Sequence, residues 1–514
     1  MATKDTATVS PQDPSSSFLS NRWLILTASV VSMVAVANFQ YGWTLFVLPL
    51  QKHLKADAAA IQITFTIFVL LETWLVPFEG RLVDKFGPRL MVMVGGVLAG
   101  LGWVYSGKAE TVTALYLAYA VAGIGAGIVY GTAVGSAMKW FPDRRGLAAG
   151  LTAAGFGAGA TFTVKPIQDI INNPAQGYQT AFIQWGIIQG VVVIVAALFL
   201  KSPPAGWLPK TWRSSGSEEV KTRQTAVSFT SGEMTETPHF WLMYLMMALV
   251  ATGGLMAVAQ LAPMAMDFKV DKIPVKFLFW SIPALTFALQ ADRFVNGVCR
   301  PFWGWVSDHI GRENTMGLAF GLEAIAKVAL LTFASHPLLF VILTAFTFFG
   351  WGEIFSLFPA LCGDFFGRKH ATENYGYLYT AKGTASVFIP IGSALAAGKI
   401  FDFRADIMLL IGGGITFFVL FLGPTVMKIS MSKPVKTTLL IVAGAILTYA
   451  LLLTVIGAKM GHASWGAYTL PKWGWTGVFG ISIGFDLIAA ALAFFVLKRM
   501  KAPVLKDTAG AEAA

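Results

Sequence analysis

Apolar runs of about 20 residues recur from one end of the chain to the other, the length a helix needs to cross a bilayer core. They fall at 23–48, 61–79, 89–106, 112–138, 146–164 and 180–200. After a polar stretch at 201–238 they resume at 239–262, 278–306, 314–334, 338–361, 374–398 and 406–428, followed by 437–458 and 474–497. The expectation is an all-α integral membrane protein, with two six-helix bundles and two additional C-terminal transmembrane helices. Composition agrees. Of 514 residues, 55% are hydrophobic and 13% charged, against about 25% charged in an ordinary soluble domain. That deficit excludes a cytosolic enzyme, a secreted disulfide scaffold and a disordered chain.

The runs divide the chain into a disordered tail (1–22), a first bundle (23–200), a central loop (201–238), a second bundle (239–430), the extra pair (431–500) and a second tail (501–514). With the N-terminus inside, the inner segments hold 23 Lys and Arg and the outer loops 11. This asymmetry favours cytoplasmic termini and a multi-pass protein of the cell membrane. The net charge of +11 is then topogenic and lipid-facing, and nucleic acid is not an expected partner. The polar start lacks the apolar core of a cleavable signal, so the first span acts as an uncleaved one. Cys299 and Cys362, the two cysteines, form no metal or disulfide pattern. No metal and no cofactor is expected, and a monomer is.

The segment Gly80-Arg81-Leu82-Val83-Asp84-Lys85-Phe86-Gly87-Pro88-Arg89 is echoed by Gly304-Trp305-Val306-Ser307-Asp308-His309-Ile310-Gly311-Arg312, with both glycines and the aspartate repeating at an offset of 224. The basic pairs Arg144-Arg145 and Arg368-Lys369 repeat at the same offset. Such a repeat implies a pseudo-twofold along the membrane normal, with a substrate site between the halves near the midplane. The glycines suit tight interhelical turns. The aspartates can cap a helix or pair with an arginine. Gly80, Asp84, Arg89, Gly304, Asp308 and Arg312 are therefore candidates for a conformational latch; the alternative is a basic turn that only sets topology.

Ionisable groups inside spans are costly and are functional candidates by default. Arg300 and Lys382 each lie roughly 9–12 Å inside the same membrane face at 1.5 Å per residue. Neither has an acid at i±3 or i±4. Two cations at one depth suit a small dianion, since arginine offers a planar fork and lysine a point charge. The alternative has Arg300 snorkelling to the interface and Lys382 paired with an acid on another helix. Gln40 and Asn296 are further polar lining candidates.

The repeated turns resemble the signature of the major facilitator superfamily. Gln40-Tyr41-Gly42-Trp43-Thr44-Leu45, Gly127-Ile128-Val129-Tyr130-Gly131, Trp140-Phe141-Pro142-Asp143, Cys299-Arg300-Pro301-Phe302-Trp303-Gly304 and Asn374-Tyr375-Gly376 with Ala381-Lys382 are similar to the oxalate/formate antiporter family, over about residues 20–430. The resemblance implies that Arg300 and Lys382 bind substrate carboxylates and that Tyr41, Tyr130 and Trp351 line the site. Phe355 stands where the family typically has Tyr, Tyr379 where it has Trp, and Glu353 where it has Gly.

Glu353 and Glu72 could offset a cation or admit a proton. Asp292 and Arg293, being adjacent, are expected to pair with other helices. Glu323 and Lys327, at i and i+4, can neutralise each other. Glu79 is assigned to the inner loop, and Asp486 has no visible partner. Glycines of the fourth and fifth runs suit close, sliding helices. The expected activity is exchange of small carboxylates by alternating access, driven by the penalty on two uncompensated cations in the empty site. The rivals are a proton-coupled monocarboxylate carrier and a membrane sensor or scaffold. An enzyme is not expected, since G-x-S-x-G, HExxH and P-loop patterns are missing.

Overall fold

The computed structural model describes residues 21–141, 145–204, 228–277, 280–367, 370–397, 400–401 and 473–500, with isolated positions between 436 and 469. The expected twelfth and thirteenth spans, most of the central loop and both tails lie outside the described residues. Among the described residues, nine helices are long and apolar enough to cross a membrane. The chain is a multi-pass helical membrane protein.

Several spans that read as continuous runs are broken helices. The first is α1 (Arg22–Tyr41) and α2 (Thr44–Leu54). The second is α3 (Ala58–Trp74) and α4 (Val76–Phe86), parted at Leu75, since Pro77 has no N–H for the Thr73 carbonyl and its ring clashes with it. Then come α5 (Pro88–Ser106) and the 29-residue α6 (Val112–Trp140). The fifth run splits into α7 (Arg145–Ala158) and α8 (Val164–Asn172), and α9 (Gly177–Ala197) closes this half of the sequence. A short capped turn, α10 (Ser231–Thr235), precedes α11 (Pro238–Asp267).

The eighth span starts later than expected. Residues from 274 form an antiparallel hairpin, β1 (Pro274–Phe277) with β2 (Trp280–Pro283), and the helix α12 runs from Ala284 to Ile310. Next is α13 (Arg312–Phe333). The tenth span breaks into α14 (Pro337–Trp351) and α15 (Ile354–Phe366), the eleventh into α16 (Ala371–Ser386) and α17 (Phe388–Ala397). Of the two extra helices, the second is described: α18 (Gly474–Ala491).

Polar caps set several starts. Asn21, Asp57, Thr111 and Thr237 each accept a bond from a backbone N–H in the first turn of the helix they precede. Small residues then let helices approach. A Cβ on Gly125 would stand 2.5 Å from the Gly95 carbonyl, and one on Gly100 would stand 2.8 Å from that of Gly186. In lipid, where apolar burial between helices drives little, such backbone proximity is a main source of packing energy.

The repeated motif is a pair of helix ends rather than a pair of loops. Gly80 and Asp84 lie within α4, and Gly304 and Asp308 within α12. The turn itself is one residue in each copy: Gly87 with φ +80 and Gly311 with φ +89. Both φ values strain any residue with a Cβ. Among the described residues, no atom outside its own helix lies within 4 Å of a Cβ placed on Gly304, so close approach to them does not explain that glycine.

Candidate functional site

Four of the helix breaks deliver side chains to one place. Gln40 and Tyr41 end α1, Glu72 lies near the end of α3, Trp351 and Phe355 flank the α14–α15 break, and Tyr379 and Lys382 lie in the last two turns of α16. A continuous helix, α12, adds Arg293, Asn296 and Arg300, while α6 adds Tyr130. Broken helices free polar backbone groups and aim side chains at the membrane interior, where lipid-exposed backbone could not exist.

Arg300 is fully buried. Its Nη1 donates to the Ala153 carbonyl at 2.6 Å, its Nε to the Asn296 carbonyl at 3.2 Å, and its Nη2 to the Tyr41 hydroxyl at 3.5 Å. Asn296 Nδ2 donates to the same hydroxyl at 3.0 Å. Among the described residues no carboxylate pairs with Arg300. Its guanidinium sits 4.4 Å from the Phe355 ring centroid, a cation–π arrangement that partly replaces hydration.

Lys382 is also fully buried but is paired. Its Nζ lies 3.0 Å from Glu72 Oε2 and donates to Gln40 Oε1 at 2.7 Å and to the Tyr379 hydroxyl at 3.1 Å. It stands 5.7 Å from the centroid of the same Phe355 ring, so one ring borders both cations. The remaining walls are aromatic. Tyr130 stacks on Tyr379 at 5.1 Å, and Trp351 meets Phe355 edge-on at 5.2 Å. Gln40, Tyr41, Tyr130, Trp351, Phe355 and Tyr379 are all buried, so the cluster is closed to both aqueous faces.

Four sequence expectations need correction here. Lys382 is not an uncompensated cation; an acid on a distant helix holds it, as the alternative reading had it. Among the described residues, Asp292 and Arg293 pair with each other, at 3.3 Å, rather than with other helices. Glu79 is buried in the helix, not in a loop. Asp486 does have a partner, Lys327, at 2.7 Å. Glu323 and Lys327 pair at 2.6 Å as expected.

Two residues of the cluster were missed. Arg293 lies 4.6 Å from the Tyr41 ring centroid and 4.9 Å from that of Phe348. Phe156, on α7, touches Tyr41 at 5.4 Å and Tyr130 at 5.3 Å and lies 5.5 Å from the Lys382 ammonium. Arg293 is seven residues, two helical turns, before Arg300, so periodicity could have placed it on the same face. Phe156 carries no such signal in a Gly/Ala-rich run. Glu353 is fully buried and makes no ion pair with either pocket cation among the described residues.

At the end bearing Gly311, Arg312 pairs with Asp308 at 2.7 Å and with Asp364 of α15 at 3.3 Å, and it donates to the Ser307 hydroxyl. At Gly87, Arg89, one position past the equivalent of Arg312, donates to the Leu200 carbonyl at 3.4 Å; the Asp84 side chain lies outside the described residues, as do residues 142–144 and 368–369.

The Major Facilitator Superfamily model matches residues 28–297 and 280–497. The chain is 36% identical over 426 residues to the oxalate:formate antiporter of Oxalobacter formigenes, covering 82% of this chain and 95% of that one. It is 24% identical over 385 residues to monocarboxylate transporter 13 of Rattus norvegicus, covering 73% and 80%. In fold it resembles a bacterial homologue of the human lysosomal transporter Spinster, solved inward-facing and unoccupied, with TM-score 0.56 at 14% identity over 94% of this chain and 99% of that one.

Proposed function

The chain belongs to the major facilitator superfamily and, within it, to the oxalate/formate antiporter family, and we propose that it is a secondary transporter that exchanges small carboxylates of the oxalate and formate type by alternating access. One observation carries this reading. A fully buried guanidinium, that of Arg300, has no carboxylate partner among the described residues and faces an aromatic box that it shares with Lys382. An uncompensated charge inside a membrane is retained for an anion that comes and goes. Arg300 offers the fork, Lys382 the second contact, and Tyr41, Tyr130, Trp351, Phe355 and Tyr379 exclude water and shape the space. Gln40 and Asn296 hold Lys382 and Tyr41 in place.

The Glu72–Lys382 pair refines the mechanism. The empty site carries one uncompensated cation rather than two, so the penalty that ties reorientation to a bound anion rests on Arg300. A monocarboxylate needs Arg300 alone. A dicarboxylate must also take Lys382 from Glu72. Arg312, with Asp308 and Asp364, acts as a latch between α12, α13 and α15 that must release for one face to open. Gly80, Asp84, Gly304 and Arg89 belong to the same helix-end motifs. The two bundles at 23–200 and 239–430, cytoplasmic termini, a cell-membrane location and a monomeric carrier complete the proposal.

The test uses proteoliposomes. Labelled oxalate should enter formate-loaded vesicles much faster than empty ones; equal uptake into both removes exchange. The second reading, a proton-coupled monocarboxylate carrier, is favoured by Arg300 being the one pocket cation without a carboxylate among the described residues and by the monocarboxylate transporter relatives. It requires a pH gradient to drive formate into unloaded vesicles.

A further inference from the structure

Away from the pocket, the C-terminal helix α18 completes a second group of buried charges. Lys327 Nζ on α13 lies 2.6 Å from Glu323 Oε1 and 2.7 Å from Asp486 Oδ2, and it donates to the Ser482 hydroxyl at 2.8 Å. All three ionisable side chains are fully buried. Glu353, at the break between α14 and α15, is fully buried too, and among the described residues both its carboxylate oxygens are without a hydrogen-bond partner. It is close enough to Glu323 for their charges to repel. Helix packing brings them together: a Cβ on Gly350, one turn before Glu353, would stand 2.7 Å from Glu323 Cβ. Asp486 Oδ1 is a further oxygen without a partner among the described residues.

Among the described residues, the other elements around the group bring no second cation. From α11 it meets Gly253, whose missing side chain leaves room for the Lys327 ammonium and the Ser482 hydroxyl. From α12, Cys299 lies within electrostatic reach of Glu353. Two carboxyl groups thus contact one ammonium, and a third, that of Glu353, stands within electrostatic reach of Glu323. With all of them ionised, two negative charges would stand uncompensated in the bilayer interior, where neither water nor counter-ions reach them. Buried acids in that position take up protons instead.

We propose that Glu323 and Asp486, both paired with Lys327, and Glu353 beside Glu323 form a proton-binding site separate from the anion pocket. Lys327 balances one carboxylate, and the other two carboxyls hold protons drawn from an aqueous face. Glu353 links the site to the pocket, being two residues beyond Trp351 and beside Cys299, the neighbour of Arg300. A proton released there moves with, or against, the anion at Arg300. This coupling, though not the protonation, rests on the carboxylate-transport reading.

Two measurements on the full-length protein decide the matter. The first is infrared absorption of protonated carboxyl groups in the purified wild type, Glu353→Gln and Asp486→Asn, between about pH 6 and pH 9. A protonated-carboxyl band is expected near neutral pH in the wild type, and each substitution should remove part of it. If neither removes any, the site is overturned; if added sodium abolishes the band, the site takes a small cation and the proton assignment is overturned. The second traps a pH-sensitive dye in proteoliposomes. Carboxylate uptake should move protons, and the ratio of proton to carboxylate flux should fall about tenfold in either variant. Carboxylate flux with no proton movement in the wild type overturns the coupling while leaving the transport reading intact. A complete lack of carboxylate flux overturns that reading and the coupling with it, and the infrared result still decides the site.

Discussion

The Lys382 ammonium lies 3.0 Å from the Glu72 carboxylate, across 310 residues of sequence, with both side chains fully buried. The pocket therefore carries its own internal anion. Lys382–Glu72 and Arg293–Asp292 cancel, and among the described residues Arg300 remains without a carboxylate.

Glu72→Gln removes that internal competitor. Oxalate affinity should rise about tenfold, since a dianion no longer has to displace a carboxylate from Lys382. Formate affinity should change little. The ligand-free protein should lose stability by about 3–5 kcal/mol, because Lys382 is left as a buried unpaired charge. Thermal-shift titrations with oxalate and formate measure all three effects. Unchanged oxalate affinity would show that Glu72 and substrate do not compete.

Arg300→Lys keeps the charge and removes the fork. The guanidinium is held by three donated bonds, to Ala153, Asn296 and Tyr41, and by the Phe355 ring. An ammonium cannot keep these and also grip a carboxylate at two points. Exchange should fall about tenfold to a hundredfold, at about 1.5–3 kcal/mol per lost charged bond. Initial rates of labelled uptake, normalised to protein recovered in the membrane, provide the measure.

Gly297→Val targets the seam between α7 and α12. A Cβ on Gly297 would stand 2.6 Å from Ala158 Cβ and 3.0 Å from the Ala154 carbonyl, and one on Gly157 would meet Asn296 and Arg300 Nε at 3.0 and 3.1 Å. The seam lies directly behind the Arg300 side chain. Overpacking there should lower stability by about 1–3 kcal/mol. It should also reduce turnover more than substrate affinity, which binding and transport assays on one preparation would separate.

Gly311→Ala and Gly304→Ala form a matched pair. Gly311 has φ +89, and alanine there should cost about 1–2 kcal/mol. Gly304 is helical with open space around its Cβ position, so alanine should be neutral or stabilise by up to about 1 kcal/mol. Melting temperatures moving in the same direction for both would refute this assignment of the turn.

Much of the plan was readable one segment at a time. The apolar runs locate the spans, because a bilayer forces each crossing to be a long apolar stretch. Arg300 and Lys382 stand out because charge is rare there, and their family context picks out Tyr41, Tyr130, Trp351, Phe355 and Tyr379, which the fold brings around them. The breaks at Gly42, Gly352 and Val387 were not readable, since hydropathy does not change across them; at Leu75 the local mark is Pro77. The hairpin at 274–283 was hidden for the same reason.

Charge pairing was the part that local sequence could not supply. Glu323 with Lys327 is visible as an i, i+4 spacing, yet Asp486 joins them only because α18 packs beside α13. Glu72 meets Lys382 only because α3 and α16 are neighbours in space. The amino-acid sequence by itself determined that this chain crosses a membrane, that its helix-end motif is repeated and that certain charges lie inside the bilayer. Tertiary structure alone decided which of those charges are already neutralised, because a buried ion pair depends on distances between helices that no period along one helix encodes.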